Sequence, residues 1–433
     1  MICLLNNINR KLDNPWIYGI IVSTLILFGT HNGLFSVFAL FVSFLYILFV
    51  GGSKELVFLT FLFPYASIFK YVAGSGSFYT YLILICVVKF LLQGLKISKG
   101  MYFFISLVVI EQLVFFDVNV PRTIKLCGGL IFVLYGLNKL NEKQSEDCFI
   151  AFVVSFFLSS FYPLLDSDFF HIKEYVQMTA LEGTFGINQI FRFSGLWQDP
   201  NYYSVNLMVA LTLIVVLFYK ERVNFFTLIA VFALSGYFTV LTYSKSSFLM
   251  FAYPIILLIG TCITKKKMGA LFIVSVLVFA SIIYICLGKA DFLDIVFNRL
   301  SNSSESGDLT TGRWDIWLNY FRFFDENIIL FFIGSGISAN YVNNAAAHNT
   351  YIEFVYSCGL LGLLLFLFAI KEMFQKNCLL KFPRNYMNLS VVICLVIMYF
   401  FLSELFAYDF TWHLLLSGLV FKMNLSNGVT NDV

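Results

Sequence analysis

Three polar segments interrupt the apolar runs of this 433-residue chain, and each carries a side chain that can bind an anion or move a proton. The first runs from Arg192 to Asn201 and leads directly into an apolar stretch. Asp199 and Pro200 are typical of a helix start, as the N-cap and the first helical residue. Capping does not explain Arg192. A guanidinium beside a helix N-terminus predicts an anion site, and a lipid head group held there without function is the alternative interpretation.

The second polar segment is a turn between two apolar runs, from Thr242 to Ser247. Lys245 at its centre can bind a phosphate as a point charge. A hydrated hairpin with a lysine at the membrane interface explains the same residues equally well. Both interpretations stay open at this point.

The third segment, 311–317, reads Thr-Gly-Arg-Trp-Asp-Ile-Trp and lies in a long polar region. Apolar residues recur there at the spacing of one helix face: Trp314, Trp317, Leu318 and Phe321. Tryptophan-rich amphipathic helices favour the bilayer interface. We therefore predict a helix that covers the mouth of a lipid-facing cavity, with Arg313 at its positive N-terminal end. A surface helix without chemistry is the alternative.

The same polar region ends at His348, which stands just before a further apolar run. An unperturbed imidazole has a pKa of about 6.5, which suits a base near neutral pH. An ordinary histidine at a helix start is the alternative. We predict that His31, His171 and His413 are structural or solvated.

The composition shows what must position these groups. Sixty per cent of the residues are apolar and 12% are charged, and 53 are phenylalanine. A typical soluble domain has roughly 25% charged residues, and a globule could not bury this much apolar surface. The composition therefore excludes a soluble enzyme, a disordered protein and a nucleic-acid binder, and a net charge of +3 indicates no polyanionic partner. It predicts an all-α polytopic membrane protein.

A membrane-crossing helix needs about 20 apolar residues. By that measure the chain holds about fourteen spans, with roughly twelve as the lower bound. They lie near 16–31, 34–50, 56–73, 78–95, 101–117, 121–138, 147–165, 201–219, 223–242, 246–263, 269–288, 350–370, 386–404 and 406–421.

The basic residues predict the orientation. Of 28 lysines and arginines, 17 fall on short connections of one side, which places the N-terminus in the cytoplasm and the two longest connections outside. We therefore predict five parts: N-terminal spans 1–165, a first long outer loop 166–200, central spans 201–287, a large outer loop with the amphipathic helix 288–349, and C-terminal spans 350–433.

Taken in order, the polar segments resemble the O-antigen ligase/polymerase superfamily, and most of all the Wzy-type polysaccharide polymerases. The matching motifs are Arg-Phe-Ser-Gly and Asp-Pro-Asn within 192–201, Thr-Tyr-Ser-Lys-Ser at 242–246, Thr-Gly-Arg-Trp-Asp-Ile-Trp at 311–317, Gly-Ser-Gly at 334–336, and His-Asn-Thr-Tyr-Ile-Glu with Gly-Leu-Leu-Gly within 348–362. The resemblance covers about residues 185–370, and the earlier spans match in hydropathy only. Lys245 stands where the family often has arginine, so it offers a point charge instead of a bidentate fork.

The resemblance implies a GT-C-like glycosyltransferase of the bacterial cytoplasmic (inner) membrane, with its site facing the periplasm or cell exterior. Its substrates would be glycans carried by undecaprenyl pyrophosphate. His348 would be the catalytic base, and Asn349 and Asn201 would contact the glycan or orient the site. The residues assigned to the pyrophosphate are Arg192, Arg313, Arg299 and Lys245. Direct displacement with inversion requires no cofactor and no metal, and the sequence shows no acidic ligand set.

Within this superfamily the motifs favour a polymerase that extends O-antigen or capsule chains on a new lipid-linked repeat unit. A ligase that moves the finished chain to lipid A core shares the donor chemistry and is the first alternative. A lipid-linked oligosaccharide flippase is the second, although it would need charges inside the spans, and these are nearly charge-free, with Lys89 and Glu111 as exceptions. A structural scaffold is the remaining alternative. The expected partners are the lipid-linked oligosaccharide, membrane lipid and a separate chain-length regulator, with no nucleic acid.

Overall fold

The computed structural model describes most of the chain. The described residues are 14–50, 53–69, 77–115, 119–164, 180–181, 190–197, 199–242, 244–267, 269, 312–337, 339, 341–375, 386–401 and 408–425. Arg299, His171 and nearly all of the predicted span at 269–288 lie outside these ranges. Nothing in the structure therefore bears on the predictions made for them.

The described residues of the N-terminal part form helices joined by short connections. Its helices are α1 Pro15–Gly29, α2 Gly33–Phe49, α3 Ser53–Leu62, α4 Phe78–Leu92, α5 Lys99–Val114, α6 Val120–Lys139 and α7 Glu142–Phe161. Short 3-10 turns at Phe63–Tyr65 and Tyr162–Leu164 extend α3 and α7, and a π-helical turn at Ile124–Gly128 interrupts α6.

The remaining helices follow a small strand pair. Ala180–Leu181 and Ile190–Phe191 form strands β1 and β2, which pair antiparallel. The helices are α8 Pro200–Tyr219, α9 Phe225–Leu241, α10 Lys245–Thr264, α11 Arg313–Glu326, α12 Ile328–Ile333, α13 Thr350–Gln375, α14 Tyr386–Phe401 and α15 Tyr408–Leu425. A 3-10 turn at Val342–Asn344 lies between α12 and α13.

Asparagine side chains start many of these helices. Each accepts a hydrogen bond from a backbone N–H of the first turn, which would otherwise have no partner inside the helix. The capping residues are Asn14, Asn32, Asn119, Asn141 and Asn224. Local sequence therefore fixes where these helices begin, and the apolar runs between the caps fix their lengths.

Among the described residues, five helices are long and apolar enough to cross a membrane: Val120–Lys139, Glu142–Leu164, Pro200–Tyr219, Ser246–Thr264 and Thr350–Phe374. Shorter apolar helices lie at Pro15–Gly29, Gly33–Phe49, Phe78–Leu92, Phe225–Leu241 and Met387–Phe400. These helices agree with an all-α, multi-pass membrane protein. The count of about fourteen spans and the GT-C-like architecture stay predictions.

Helix α8 lies at the centre of the bundle. Nearly every residue from Tyr203 to Phe218 is buried, and the helix packs against α7, α9 and α10. An apolar surface on all sides is typical of a helix enclosed by others. Because α8 begins at Pro200, the enclosed helix holds the end of the first polar motif in a fixed place.

A buried ion pair joins the end of α2, the start of α3 and the last turns of α4 and α6. The Lys89 ammonium lies 2.5 Å from a carboxylate oxygen of Glu55, whose side chain is fully buried. Lys89 also donates to the backbone carbonyls of Ile47 and Val50. The Tyr135 hydroxyl donates to the other Glu55 oxygen at 3.2 Å. One charge pair therefore ties four helices together.

We predict that Lys89→Met destabilises the protein strongly, because it leaves the Glu55 carboxylate buried without its counter-charge. Breaking a buried pair in this way costs about 3–5 kcal/mol. The double variant Glu55→Gln/Lys89→Met should recover most of the loss, and Lys96→Met, at an exposed lysine, should change nothing. The melting temperature of the purified protein in detergent measures all three. A single variant as stable as wild type would show that the pair is not structural.

Candidate functional site

The first motif and the polar turn lie against each other at one end of the bundle. The backbone N–H of Phe193 donates to the carbonyl of Leu241 at 3.0 Å. The Nε of Arg192 donates to the carbonyl of Thr242 at 3.1 Å. These carbonyls end α9, where helix carbonyls lack partners within the helix and a positive charge is favourable. The C-terminus of α9 therefore anchors Arg192.

Asn201 connects the same turn to the start of α8. Its side-chain oxygen accepts hydrogen bonds from the hydroxyls of Ser244 and Ser246, at 2.8 and 2.7 Å. One helical turn further on, the hydroxyls of Ser204 and Ser247 contact each other. The structure thus gives Asn201 an orienting contact within the protein, while its contact with a glycan stays a prediction.

Lys245 is the first residue of α10. Its side chain lies outside the part of the chain that the structure describes, as does Arg299. The phosphate-binding roles that the resemblance implies for both residues stay predictions.

Asp199, Arg313 and His348 share one electrostatic neighbourhood. The Asp199 carboxylate caps α8 by accepting from the backbone N–H of Asn201 at 2.6 Å. Desolvation lowers the pKa of Arg313, and the negative charge of Asp199 opposes this shift. Desolvation also lowers the pKa of His348, repulsion from Arg313 lowers it further, and Asp199 again opposes. The two residues predicted to bind diphosphate and to act as base are therefore brought together, beside the end of the first motif.

Helix α11 holds the backbone that leads to His348. The indole Nε1 of Trp317 donates to the carbonyl of Ala347 at 2.8 Å, and the Tyr320 hydroxyl donates to the carbonyl of Ala345 at 2.9 Å. Tyr320 is fully buried and stacks edge-on against Tyr356 of α13. Since polar side-chain atoms of α11 bond two of the three residues before His348, the helix fixes the position of the histidine.

The predicted apolar face of α11 is only partly covered by protein. Two of its residues, Trp314 and Phe321, are 54% and 51% exposed, whereas Trp317 donates to the carbonyl of Ala347. The buried residues of the helix are Tyr320 and Phe324. Part of the predicted face therefore points outward, which fits the bilayer interface, and a second aromatic face packs inward.

His348 has an unusual backbone, and Asn349 starts the next helix. The φ angle of His348 is +47°, in the left-handed region that non-glycine residues rarely adopt, and its side chain is exposed. The side-chain oxygen of Asn349 accepts from the backbone N–H groups of Tyr351 and Ile352, at 3.0 and 3.1 Å. Asn349 therefore caps α13, which fixes the chain next to His348. A glycan contact for Asn349 stays a prediction.

The Gly-Ser-Gly motif fills a break in α13. Gly359 has a φ of +66°, so the helix is interrupted there. The backbone N–H of Ser335 donates to the carbonyl of Tyr356 at 2.7 Å, and that of Gly336 donates to the carbonyl of Ser357 at 3.0 Å. A Cβ on Gly334 would come within 2.5 Å of a backbone oxygen of α13. Only glycine permits this close approach.

Asp409 and Arg122, to which the sequence alone gives no role, contact the motifs or the residues next to them. The buried carboxylate of Asp409 accepts from the Trp197 indole at 3.2 Å and from the Asn206 amide at 2.6 Å. His413, predicted to be structural or solvated, is buried beside the same amide. Arg122 donates to the carbonyl of Ile337 at 2.6 Å. A charge inside an apolar run was the available signal for Asp409, because such charges are costly in a membrane.

The arrangement suits displacement at a diphosphate ester. Arg313 and Arg192 supply guanidinium groups, and each guanidinium can bind two phosphate oxygens at once. The lowered pKa of His348 keeps its imidazole neutral near pH 7, as a proton acceptor must be. Within the part of the chain that the structure describes, the Asp199 carboxylate acts on both Arg313 and His348.

Comparison with known proteins adds one match. Residues 230–367 match the family model Wzy_C, described as O-antigen ligase. Searches of curated proteins and of solved structures give no match. The matched segment holds the polar turn, α11 and His348, and members of this family are glycosyltransferase-like enzymes that act on glycans. Residues 230–367 therefore form the part of the chain that matches the O-antigen ligase/polymerase superfamily, as the order of the motifs indicates.

Proposed function

We propose that the protein is a polymerase of lipid-linked oligosaccharide repeat units in the bacterial cytoplasmic membrane, with its site on the outer face. It transfers the growing glycan from undecaprenyl pyrophosphate to a sugar hydroxyl of a new repeat unit on the same kind of carrier. The observation that carries this proposal is the shared electrostatic neighbourhood of Arg313, His348 and Asp199. It supports a base and a diphosphate-binding cation acting on one substrate.

The reaction is a single displacement. The acceptor hydroxyl loses its proton to His348, and its oxygen forms a bond to the anomeric carbon of the donor glycan. The bond from that carbon to the diphosphate oxygen breaks, and its electron pair stays on the diphosphate. Because one nucleophile replaces one leaving group, the configuration at the anomeric carbon inverts. The proton on His348 then passes to solvent, to which the exposed ring has access.

Cationic side chains stabilise the charge that grows on the leaving diphosphate. Arg313 lies beside His348 at the start of α11, where the helix dipole adds positive potential. Arg192 lies beside the polar turn 242–247. Lys245 and Arg299 are further candidates for binding the diphosphate. Preorganised donors aimed at developing charge are often the largest single contribution to a rate. Asp199 keeps the positive charge of Arg313 balanced while no substrate is bound.

The choice of a polymerase over a ligase rests on the Thr-Gly-Arg-Trp-Asp-Ile-Trp run at 311–317 and on the number of predicted spans. The family description, O-antigen ligase, makes transfer to lipid A core the second candidate. Both reactions use the same donor, so Arg313 and His348 serve either. A flippase is less well supported, because the charged groups of the site gather at one end of the helices.

The glycans of a strain without this protein test the proposal. We expect surface glycans of one repeat unit only, because no longer chain can form without the polymerase. Long polymer left on its lipid carrier would instead identify a ligase. Repeat units trapped on the cytoplasmic face would identify a flippase. Re-expression of the wild-type chain is the control.

In the same strain, His348→Ala should fail to restore long chains although the protein reaches the membrane. A general base contributes about 10²–10⁴-fold to the rate, so turnover by the purified variant should fall at least about 100-fold. His31→Ala, at an exposed histidine in another connection, is the matched control and should restore wild-type chains. Wild-type chain lengths with His348→Ala would contradict the assignment of the base.

The pH dependence of kcat/KM tests the electrostatic interactions of His348 with Arg313 and Asp199. Only neutral His348 accepts a proton, so activity rises with pH through the pKa of His348, which is lowered from its usual value of about 6.5. Arg313→Gln removes a repulsion, so we expect the acid limb to move to higher pH. Asp199→Asn removes an attraction but keeps a good N-cap, so the limb should move to lower pH.

These two shifts have opposite signs, which separates them from a general loss of structure. The purified variants are assayed with a lipid-linked donor and acceptor between about pH 4.5 and 8, around the ordinary range of imidazole. Equal midpoints in wild type and both variants would show that His348 is not the titrating group.

A further inference from the structure

Arg122 connects the N-terminal helices to the large outer loop. It lies in the first turn of α6, outside the segment 230–367 that matches the family model. One guanidinium nitrogen, Nη1, donates to the carbonyl of Ile337 at 2.6 Å. The same guanidinium lies over the ring of Tyr341, with its central carbon 5.9 Å from the ring centroid. Arg122 therefore contacts the loop twice, on either side of residue 339.

The contact continues from Tyr341 to the start of α13. The Tyr341 hydroxyl donates to a carboxylate oxygen of Glu353 at 3.3 Å, and Glu353 is buried. The backbone N–H of Glu353 donates to the carbonyl of Asn349, which is the residue after His348. Burial and the charge of Glu353 raise the pKa of Tyr341, and Arg122 opposes them, as expected for three neighbouring groups. A continuous series of contacts thus runs from Arg122 to the residue beside His348.

Arg122 itself is held firmly. Its backbone N–H donates to the side-chain oxygen of Asn119 at 3.1 Å. The buried Gln112 of α5 accepts from the backbone of Asn119 at 3.0 Å and from the Thr123 hydroxyl at 2.9 Å. A positive charge is unfavourable at a helix N-terminus. The start of α6 is therefore cross-linked to α5 around a cation that the helix dipole disfavours, and that suggests a role outside the helix.

The loop segment between these contacts has little room to move. A Cβ on Gly336 would lie 3.1 Å from the Phe115 ring at the end of α5. On its other side, the backbone of Ser335 and Gly336 bonds α13 at its break. Arg122 bonds Ile337 from the N-terminal helices, so residues 334–337 are held between two parts of the bundle.

We propose that Arg122, Tyr341 and Glu353 form a clamp that positions His348, with Arg122 as the positioning residue from the N-terminal half. The inference rests on the proposed function in one respect, namely that His348 is the base. A displacement of about 1 Å at a reacting group can lower a rate about 10²-fold. The clamp acts on geometry, so its loss should lower kcat and leave the KM for the lipid-linked donor nearly unchanged.

The variants separate positioning from binding. Arg122→Ala removes both contacts to the loop, and Tyr341→Phe keeps the ring but removes the hydrogen bond to Glu353. We expect kcat to fall between about 10- and 100-fold for Arg122→Ala and less for Tyr341→Phe. The double variant should be no slower than Arg122→Ala, because both residues act through one clamp. Arg222→Ala is the matched control, since Arg222 pairs with Glu146 at the other end of the helices and should keep full activity.

Hydrogen exchange of the full-length protein in detergent gives a readout independent of activity. The amides of 334–337 should exchange at least about 10-fold faster in Arg122→Ala than in wild type or Arg222→Ala, because the clamp opens locally. Unchanged exchange, a raised KM with unchanged kcat, or additive losses in the double variant would each overturn the proposal. If Arg122→Ala does not accumulate in the membrane, the kcat, the KM and the hydrogen exchange of Tyr341→Phe decide.

Failure of the clamp and failure of the proposed function give different results. If the wild-type protein has no polymerase activity, but Arg122→Ala still speeds the hydrogen exchange of the amides of 334–337, the proposed function is refuted and the clamp is supported. An active wild-type protein whose amides do not respond to Arg122→Ala would refute the clamp and leave the polymerase assignment intact.

Discussion

A backbone carbonyl inside a bilayer has no water to bond, so a break in a membrane helix requires another donor at the same place. Helix α13 breaks at Gly359, and Ser335 and Gly336 supply the missing donors. The backbones at Gly334 and Gly359 approach so closely that neither residue has space for a side chain. Because the outer loop is bound there, the segment that follows it begins from a fixed point and reaches His348 over a short distance.

Two charged residues near the site, Asp199 and Arg192, serve more than one purpose each. Asp199 caps α8 and also balances Arg313 and His348. Arg192 satisfies the end of α9 while lying next to the polar turn. Burying a charge near a membrane is costly, and a partner that also ends a helix offsets that cost. The site is therefore built from helix termini, and its electrostatics follow from where the helices begin and stop.

Pro200 after Asp199 predicts the start of α8, and the structure has this start, because capping involves residues within one turn. The asparagine caps depend on the same local signal but were not predicted. The inward face of α11 was not predictable in the same way. In a membrane protein apolar residues face lipid as well as protein, so periodicity finds a face without saying what covers it. Trp314 faces outward and Tyr320 inward for that reason.

Long-range contacts were beyond sequence reasoning. Arg122 and Ile337 are 215 positions apart, and Trp197 and Asp409 are 212 apart. No spacing rule relates residues at such separations, because the contacts depend on how whole helices pack. The motif order predicts Arg192, Arg313 and His348 as members of one set, and in the structure Asp199, at the end of the first motif, acts electrostatically on Arg313 and His348. The sequence contains the members of the site, and the packing decides their neighbours.

The length of α13 sets the depth of the site. Because α13 is interrupted at Gly359, its 26 residues extend at most about 39 Å at 1.5 Å per residue, against about 30 Å for the hydrocarbon core of a bilayer. With α13 crossing the bilayer, Lys371 and Glu372 near one end would lie in one head-group layer, and His348 beyond the other end would lie in the opposite layer. Under the proposed function, the diphosphate of the lipid carrier would lie in that same layer. A carrier could therefore diffuse sideways into the site with its chain still dissolved in the bilayer, and the glycan would extend directly into water.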